Sequence, residues 1–258
     1  MNIFIFIIGS IILAIAITFL IKHHFLIADI RAIRATETSS IADLRKMQAK
    51  IAKEMRRVGT WREQVEVKGV VRCSRPLIAE LSQRHCVYCH TKIIEEYEQS
   101  EYETDDDGDT RLKDRLGAKV IQNDRNQTNF YLEDATDKIY IDLNEAEIDG
   151  MTVVSQFESC HRQKSADYRT LGYQRTEKII ELGSEIYIIG EVKDTNGRLQ
   201  IGASNDRRKP FVVSFKSEEE LLKAKIAQGR HKLSWGIGLG ISGSMAIAYA
   251  LLEMLVAS

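Results

Sequence analysis

The sharpest chemical pattern in the chain is Cys86-Val-Tyr-Cys89-His90. Two thiols and an imidazole at this spacing form the attachment pattern of c-type haem, in which the thiols bond the vinyl groups and the histidine ligates iron. The same residues, joined by Cys160 and His161, would supply the four soft or borderline ligands that zinc takes. Both readings meet physical objections. Residues 86–96 are rich in Val, Tyr, Thr and Ile and read as a strand, whose alternation sends Cys86 and His90 to one face and Cys89 to the other. The gap of about 70 residues before Cys160 fits neither treble-clef nor ribbon zinc spacing. The preferred reading is a strand with two incidental thiols, no metal and no cofactor. Haem or zinc redox chemistry through Cys86, Cys89 and His90 is the alternative.

Two other patterns weaken on inspection. Residues 95–109 hold nine carboxylates and no basic side chain, and Glu103, Asp105, Asp107, Gly108 and Asp114 fall near EF-hand positions. The first ligand is Glu, the last is Asp, and no helix flanks the run, so it reads as an acidic, solvated hairpin loop. Gly238-Leu-Gly240-Ile-Ser-Gly243 spells a dinucleotide fingerprint, but it follows no strand and lies within an apolar run. There Gly236, Gly240 and Gly243 read instead as a small-residue face for close helix packing. No Ser-His-Asp set, P-loop or zinc-protease motif occurs, and no catalytic residue is expected.

The elements that would position these residues follow from hydropathy. Residues 3–21 and 233–252 are uncharged runs of 19 and 20 residues, each long enough at 1.5 Å per residue to cross about 30 Å of hydrocarbon. Between them, Ile41, Leu44, Met47, Ile51, Met55 and Val58 recur at helical spacing behind a Ser40 cap with Asp43 three residues on. Segments 64–71, 86–96, 118–121, 129–132, 138–143, 178–182, 185–192, 198–201 and 211–215 read as short strands. Turns at 134–137 and 194–197 join two pairs of them into hairpins. Ser217 with Glu220 caps a further helix. The expected division is a transmembrane helix at 1–22, an amphipathic juxtamembrane segment at 23–60, a β-rich domain at 61–216, a connecting helix at 217–232 and a second transmembrane helix at 233–257. The fold class is mainly β, an antiparallel barrel or sandwich between two terminal transmembrane helices.

Charge sets orientation and excludes some partners. With 36 basic against 37 acidic side chains in 258 residues, the chain lacks the basic excess of a patch-type nucleic-acid binder. Lys22, Arg31 and Arg34 follow the first span and Lys223, Lys225, Arg230 and Lys232 precede the second, whereas only Glu253 follows it. In a bacterial inner membrane the positive-inside rule makes the β domain cytoplasmic. A cleavable signal peptide is disfavoured, since no basic residue precedes residue 3 and no small-residue cleavage site follows the run. Nine basic residues against four acidic between Lys22 and Arg57 suit anionic lipid beside the membrane, a short coiled coil, or packing on the chain's own domain.

Phe130-Tyr-Leu-Glu-Asp-Ala135, Ile139-Tyr-Ile-Asp142, Leu182-Gly-Ser-Glu-Ile-Tyr-Ile-Ile-Gly190 and Lys209-Pro-Phe-Val-Val-Ser-Phe-Lys-Ser-Glu-Glu-Glu-Leu221 resemble the GIDE domain of MULAN-type membrane ubiquitin ligases, closest to their prokaryotic relatives. The order span, β-rich "beside a membrane" domain, span is similar too. The resemblance implies a ubiquitin-ligase-type system. In eukaryotic members a RING finger with eight Cys or His ligands for two zinc ions follows the second span. This sequence reads as a RING-less member ending at Ser258, just past the span, in which no residue takes the ligase role. In a eukaryotic host, the resemblance implies an organelle outer membrane with the domain in the intermembrane space. The expected function is a non-catalytic scaffold or sensor that binds a protein partner, a second copy of itself or lipid headgroups. The alternative is a ligase-system component whose RING is carried by another chain.

Overall fold

The computed structural model describes residues 2–56, 59, 61–104, 109–160, 167–195, 197–206 and 208–256. Two long helices, α1 (Asn2–Ala35) and α3 (Glu218–Val256), frame a β-rich body and run against each other. Within them Ile3–Ala35 and Glu218–Glu253 are candidate membrane spans, and their apolar windows are only 11% and 17% buried in the protein itself. Side chains that face outward from an apolar helix need a non-aqueous surrounding, and these two helices support a membrane protein. Each helix continues well beyond its uncharged run, so the pair forms a stalk between bilayer and body.

The body begins with α2 (Ile41–Met55), opened by Ser40, whose side chain accepts a hydrogen bond from the Asp43 amide. Twelve strands follow: β1 (Arg62–Arg72), β2 (Leu77–Ile78), β3 (His85–Thr104), β4 (Thr110–Gln127), β5 (Phe130–Glu133), β6 (Lys138–Ile141), β7 (Glu147–Asp149), β8 (Met151–Ser159), β9 (Tyr168–Glu181), β10 (Glu185–Thr195), β11 (Arg198–Gly202) and β12 (Val212–Ser214). Strands β1-β5-β6-β11-β10 pair in that order and β10 returns to β1, which closes a five-stranded barrel. Only β6 and β11 run parallel within that ring. Counted along the barrel alone, this is the Greek-key order of an OB-type barrel. Strands β12 and β7 extend it from β10.

Alternation explains what each barrel strand buries. Val65, Val67 and Val71 of β1 and Ile186, Ile188 and Val192 of β10 point into the core with Phe130, Leu132, Ile139, Ile141 and Ile201. Ile41 and Leu44 of α2 enter the same core, while Met47 and Met55 are exposed. The apolar stripe of α2 is thus used chiefly on the chain's own barrel. The outward-facing Tyr187 and Ile189 of β10 form a second cluster with Ile33 of α1, Val212 and Leu221 of α3. This cluster docks the stalk on the barrel wall.

Two chain excursions leave the barrel, one between β1 and β5 and one between β6 and β10. Together they build a separate sheet from β2, β3, β4, β8 and β9. Strands β3 and β4 pair over their full lengths, from Tyr88↔Gln127 to Thr104↔Thr110. Sequence periodicity picks out only the inner part of β3, four residues of β4 and the last four of β9, and passes over β2, β7, β8 and residues 168–177 of β9. The outer strands are wet on both faces, so they lack the apolar alternation on which such a reading depends.

Candidate functional site

Cys86 and Cys89 lie together, contrary to the simple strand alternation. β3 carries a bulge: Cys86 pairs with Glu181 and Tyr88 with Ile180, so Val87 is the additional residue. The bulge turns Val87 and Tyr88 into the barrel core and puts both thiols in a small cluster with Ala79 and Ile179. His90 takes the other side, half-buried, with Nε2 2.8 Å from Asn123 Oδ1. Cys160 is set by its backbone bond to Leu171, seven to eight residues along β9 from the Ile179 that pairs with Cys89. At the rise of a strand that is about 25 Å away. His161 lies outside the described residues.

Glu177 organises the thiol pocket. Fully buried on β9, its carboxylate accepts the backbone amides of Leu81 at 2.7 Å and Ser82 at 2.8 Å. Thr91 donates at 3.3 Å and the Cys89 thiol at 3.7 Å to the same carboxylate. Burial alone would raise its pKa, but hydrogen bonds from Ser82, Leu81 and Thr91 prevail and hold it below the usual glutamate value. Burial, with Cys89 and Glu177 as neighbours, pushes the Cys86 thiol up to about 12, and burial raises Cys89 as well. Protonated buried thiols are poor nucleophiles and poor metal ligands. Among the described residues no group of three or more His, Cys, Asp or Glu side chains is placed to hold a metal ion. This pocket is a packed joint closed by the loop of residues 79–84, and its chemistry is that of a latch.

Of the EF-hand-like residues, Glu103 and Asp114 are described and each has a partner of its own. Glu103 sits in β3 and pairs with Lys113 at 2.7 Å and Arg115 at 3.6 Å, while Asp114 accepts from Ser100 at 2.5 Å. Asp105, Asp107 and Gly108 lie outside the described residues. Gly236 and Gly243 meet α1 closely: a Cβ on Gly243 would stand 3.0 Å from Gly9 O and Leu13 N, and one on Gly236 3.0 Å from Leu20. Gly240 is looser, with Ala16 at 3.9 Å.

The projecting sheet carries an arrangement that strand prediction alone misses. Register puts Val120, Ile94, Gln174 and Phe157 in one row across β4, β3, β9 and β8. Leu116 and Leu112 lie four and eight residues back along β4 on the same face, with Tyr102 opposite Leu112. Leu112, Leu116, Val120, Phe157 and Tyr102 are 53%, 78%, 50%, 49% and 76% exposed. The opposite face is charged, with Lys113 and Arg115 paired to Glu101 and Glu103. One side of this arm thus carries those ion pairs and the stacked Tyr97 and Tyr168, and on the other the exposed Leu112, Leu116, Val120 and Phe157 alternate with Asp114, Glu96 and the Glu98–Arg169 pair.

A third feature is buried where stalk meets barrel. Glu66 of β1 is fully buried, accepts Tyr187 Oη at 2.9 Å and the Thr38 hydroxyl, and has Lys68 Nζ 3.4 Å away. Burial and then Glu66 push the Tyr187 phenol up, which keeps it a donor. A cleft of about 420 Å³ opens beside it, lined by Lys68, Tyr187, Phe215, Lys216 and Glu220 among others.

The GIDE family model, described as E3 ubiquitin ligase, matches residues 98–248. The chain belongs to the GIDE family. No curated protein matches the chain, and no solved structure does. The GIDE match covers the outer arm, most of the barrel and the greater part of α3. It begins after Cys86, Cys89 and His90, so the haem-like pattern stands outside the family's matched region. The apolar stripe at residues 112–120 and 157 and the glycines of α3 fall inside it.

Proposed function

We propose that this GIDE-family protein is the membrane-anchored recognition part of a ubiquitin-ligase-type system. It holds a protein partner on the apolar face of its projecting sheet and performs no transfer chemistry with its own described residues. The observation that carries this reading is that Leu112, Leu116, Val120 and Phe157 stand exposed together on one face of the arm among the described residues. Large apolar side chains exposed together and rimmed by charged ones, here Glu98, Asp114 and Arg169, suit a surface that another macromolecule covers. The family description supplies the ubiquitin-ligase context.

The test places a photo-cross-linking amino acid at Leu112 in the full chain, in its own membrane, and compares it with the same protein carrying Leu116→Asp and Val120→Asp. A discrete protein adduct that disappears in the double variant supports the reading. Adducts to lipid alone, or to a second copy of the chain alone, overturn it.

A further inference from the structure

The stalk contains a groove whose composition suits an anionic ligand at the membrane surface. It has a volume of about 320 Å³ and is lined by His23, Ile27, Ile30, Arg31, Arg34, Ile226, Gly229 and Arg230. On α1 the lining residues recur at helical spacing and so form one face, which meets Ile226 and Arg230 one turn apart on α3. Gly229 lets the helices close, since a Cβ there would already stand 3.3 Å from Leu26. The Gly229 carbonyl can only accept, so His23 donates to it from Nδ1 at 3.1 Å.

Three arginines thus line one apolar-floored groove, and none of Arg31, Arg34 and Arg230 has an ion pair or side-chain hydrogen bond among the described residues. The nearby acid, Asp29, is directed to Lys225, which also bonds Glu147. Such a concentration of unneutralised arginine normally attracts a counter-charge, and arginine forks match phosphate oxygens two at a time. Position identifies the source. Arg230 lies three residues, about 5 Å, before the uncharged run of α3. Arg31 and Arg34 lie about 15 and 20 Å beyond residue 21 on α1, but side chains lean toward a helix N-terminus, which on α1 means toward the apolar run and on α3 means away from it, so Arg31 and Arg230 lean toward each other. Ile27, Ile30 and Ile226 offer an apolar wall continuous with the spans.

We infer that this groove binds the headgroup of an anionic glycerophospholipid, with Arg230 and Arg31 on its phosphodiester and Arg34 on a further oxygen of the headgroup. The site is independent of the partner surface on the sheet.

The experiment uses the full chain in phosphatidylcholine nanodiscs containing a trace of spin-labelled phosphatidylglycerol or spin-labelled phosphatidylcholine, and measures the motionally restricted fraction. Wild type should prefer phosphatidylglycerol. The variant Arg31→Gln, Arg34→Gln, Arg230→Gln removes the three charges that line the groove and should lose at least tenfold of that preference. A second variant, Lys22→Gln, Lys223→Gln, Lys232→Gln, removes as many juxtamembrane charges outside the groove and, if the lipid is held by the groove rather than by diffuse charge, should stay within about threefold of wild type. Equal loss in both variants would show diffuse attraction and overturn the site, as would absence of a preference in wild type. Displacement of the labelled lipid by millimolar glycerol 3-phosphate would assign the groove to a soluble phosphate and overturn the lipid reading.

Discussion

Replacing Glu177 by alanine should open the pocket that hides Cys86 and Cys89. The carboxylate accepts two backbone amides, from Leu81 and Ser82, and these bonds hold the loop of residues 79–84 over the thiols. Each buried donor left without an acceptor costs about 1–3 kcal/mol, part of which water recovers as the loop lifts. A net local destabilisation of about 3 kcal/mol corresponds to roughly a hundredfold larger open fraction. The assay is the rate of thiol reaction with an aromatic disulfide, in a background where the half-exposed Cys73 and Cys160 are serine. Glu177→Gln, whose amide keeps one acceptor oxygen, should accelerate reaction by about tenfold. The pH dependence has a definite sign. Glu177 is held below its ordinary value of 4.5 when folded, so its stabilisation is complete above about pH 4.5 and fades only as pH falls through the lower folded value. From pH 6 to 8 the ratio of wild-type to variant rates, corrected for thiolate fraction, should therefore be flat. Acceleration below about threefold in Glu177→Ala would refute the latch.

Gly243→Ala should reduce cross-linking between α1 and α3, because the added methyl meets backbone atoms of Gly9 and Leu13 at 3.0 Å, whereas Gly240→Ala should leave it unchanged beside Ala16 at 3.9 Å. Asp134 fixes the start of α2 through the Ile41 amide at 2.8 Å; burial would raise its pKa, but the amides of Ile41 and Asp137 and the Thr136 bonds hold it below 3.8. Its contribution should be complete above about pH 4 and vanish as pH drops through the lowered value, so Asp134→Asn should lower hydrogen-exchange protection of α2 by about 1 kcal/mol at pH 7 and by little at pH 2. The flanking charges predict a cytoplasmic body in a bacterial inner membrane, so a membrane-impermeant maleimide should label Cys160 faster in lysed than in intact cells. Cys89→Ser should leave expression nearly unchanged and unaffected by added zinc or haem, as quantitative immunoblotting would register; a collapse rescued by either would show a real cofactor site.

The spans and barrel were legible because their physics is periodic. An uncharged run of bilayer length and apolar alternation in 64–71 and 185–192 need no context to be read. The thiol site was not legible, because alternation is a local rule and the Val87 bulge is imposed from outside: two neighbouring residues, Val87 and Tyr88, are both drawn into the barrel core. A Cys-Val-Tyr-Cys segment gives no sign of that. The apolar stripe was equally hidden. Leu112, Leu116 and Val120 are four apart, which on sequence alone suits one helical face as well as one side of a strand, and basic or acidic side chains fill the gaps. Only pairing with β3, whose acidic run supplies partners for Lys113 and Arg115, fixes the segment as strand and aims its leucines to one side.

The connection between membrane and arm runs through a few charged groups. Lys225 of α3 is 5% exposed, and bonds both oxygens of Glu147 at 3.0 and 2.8 Å, with Asp29 of α1 3.9 Å away. Lys216, just before α3, reaches Asp149 at 2.8 Å. Glu147 and Asp149 are the two ends of β7, and after Gly150 the chain enters β8, the edge strand that carries Phe157. No side chain larger than hydrogen is accommodated easily at that step, since a Cβ on Gly150 would stand 3.0 Å from Ile179 O. Only Lys225 of this group is buried and Glu147 is 62% exposed, so these pairs add little net stability and serve to hold Lys225 in place. Its consequence is positional. Both stalk helices are tied to the same short strand, and that strand passes within one residue into the sheet bearing Phe157, so the orientation of that sheet relative to the two helices is tied to the pairing of α1 with α3.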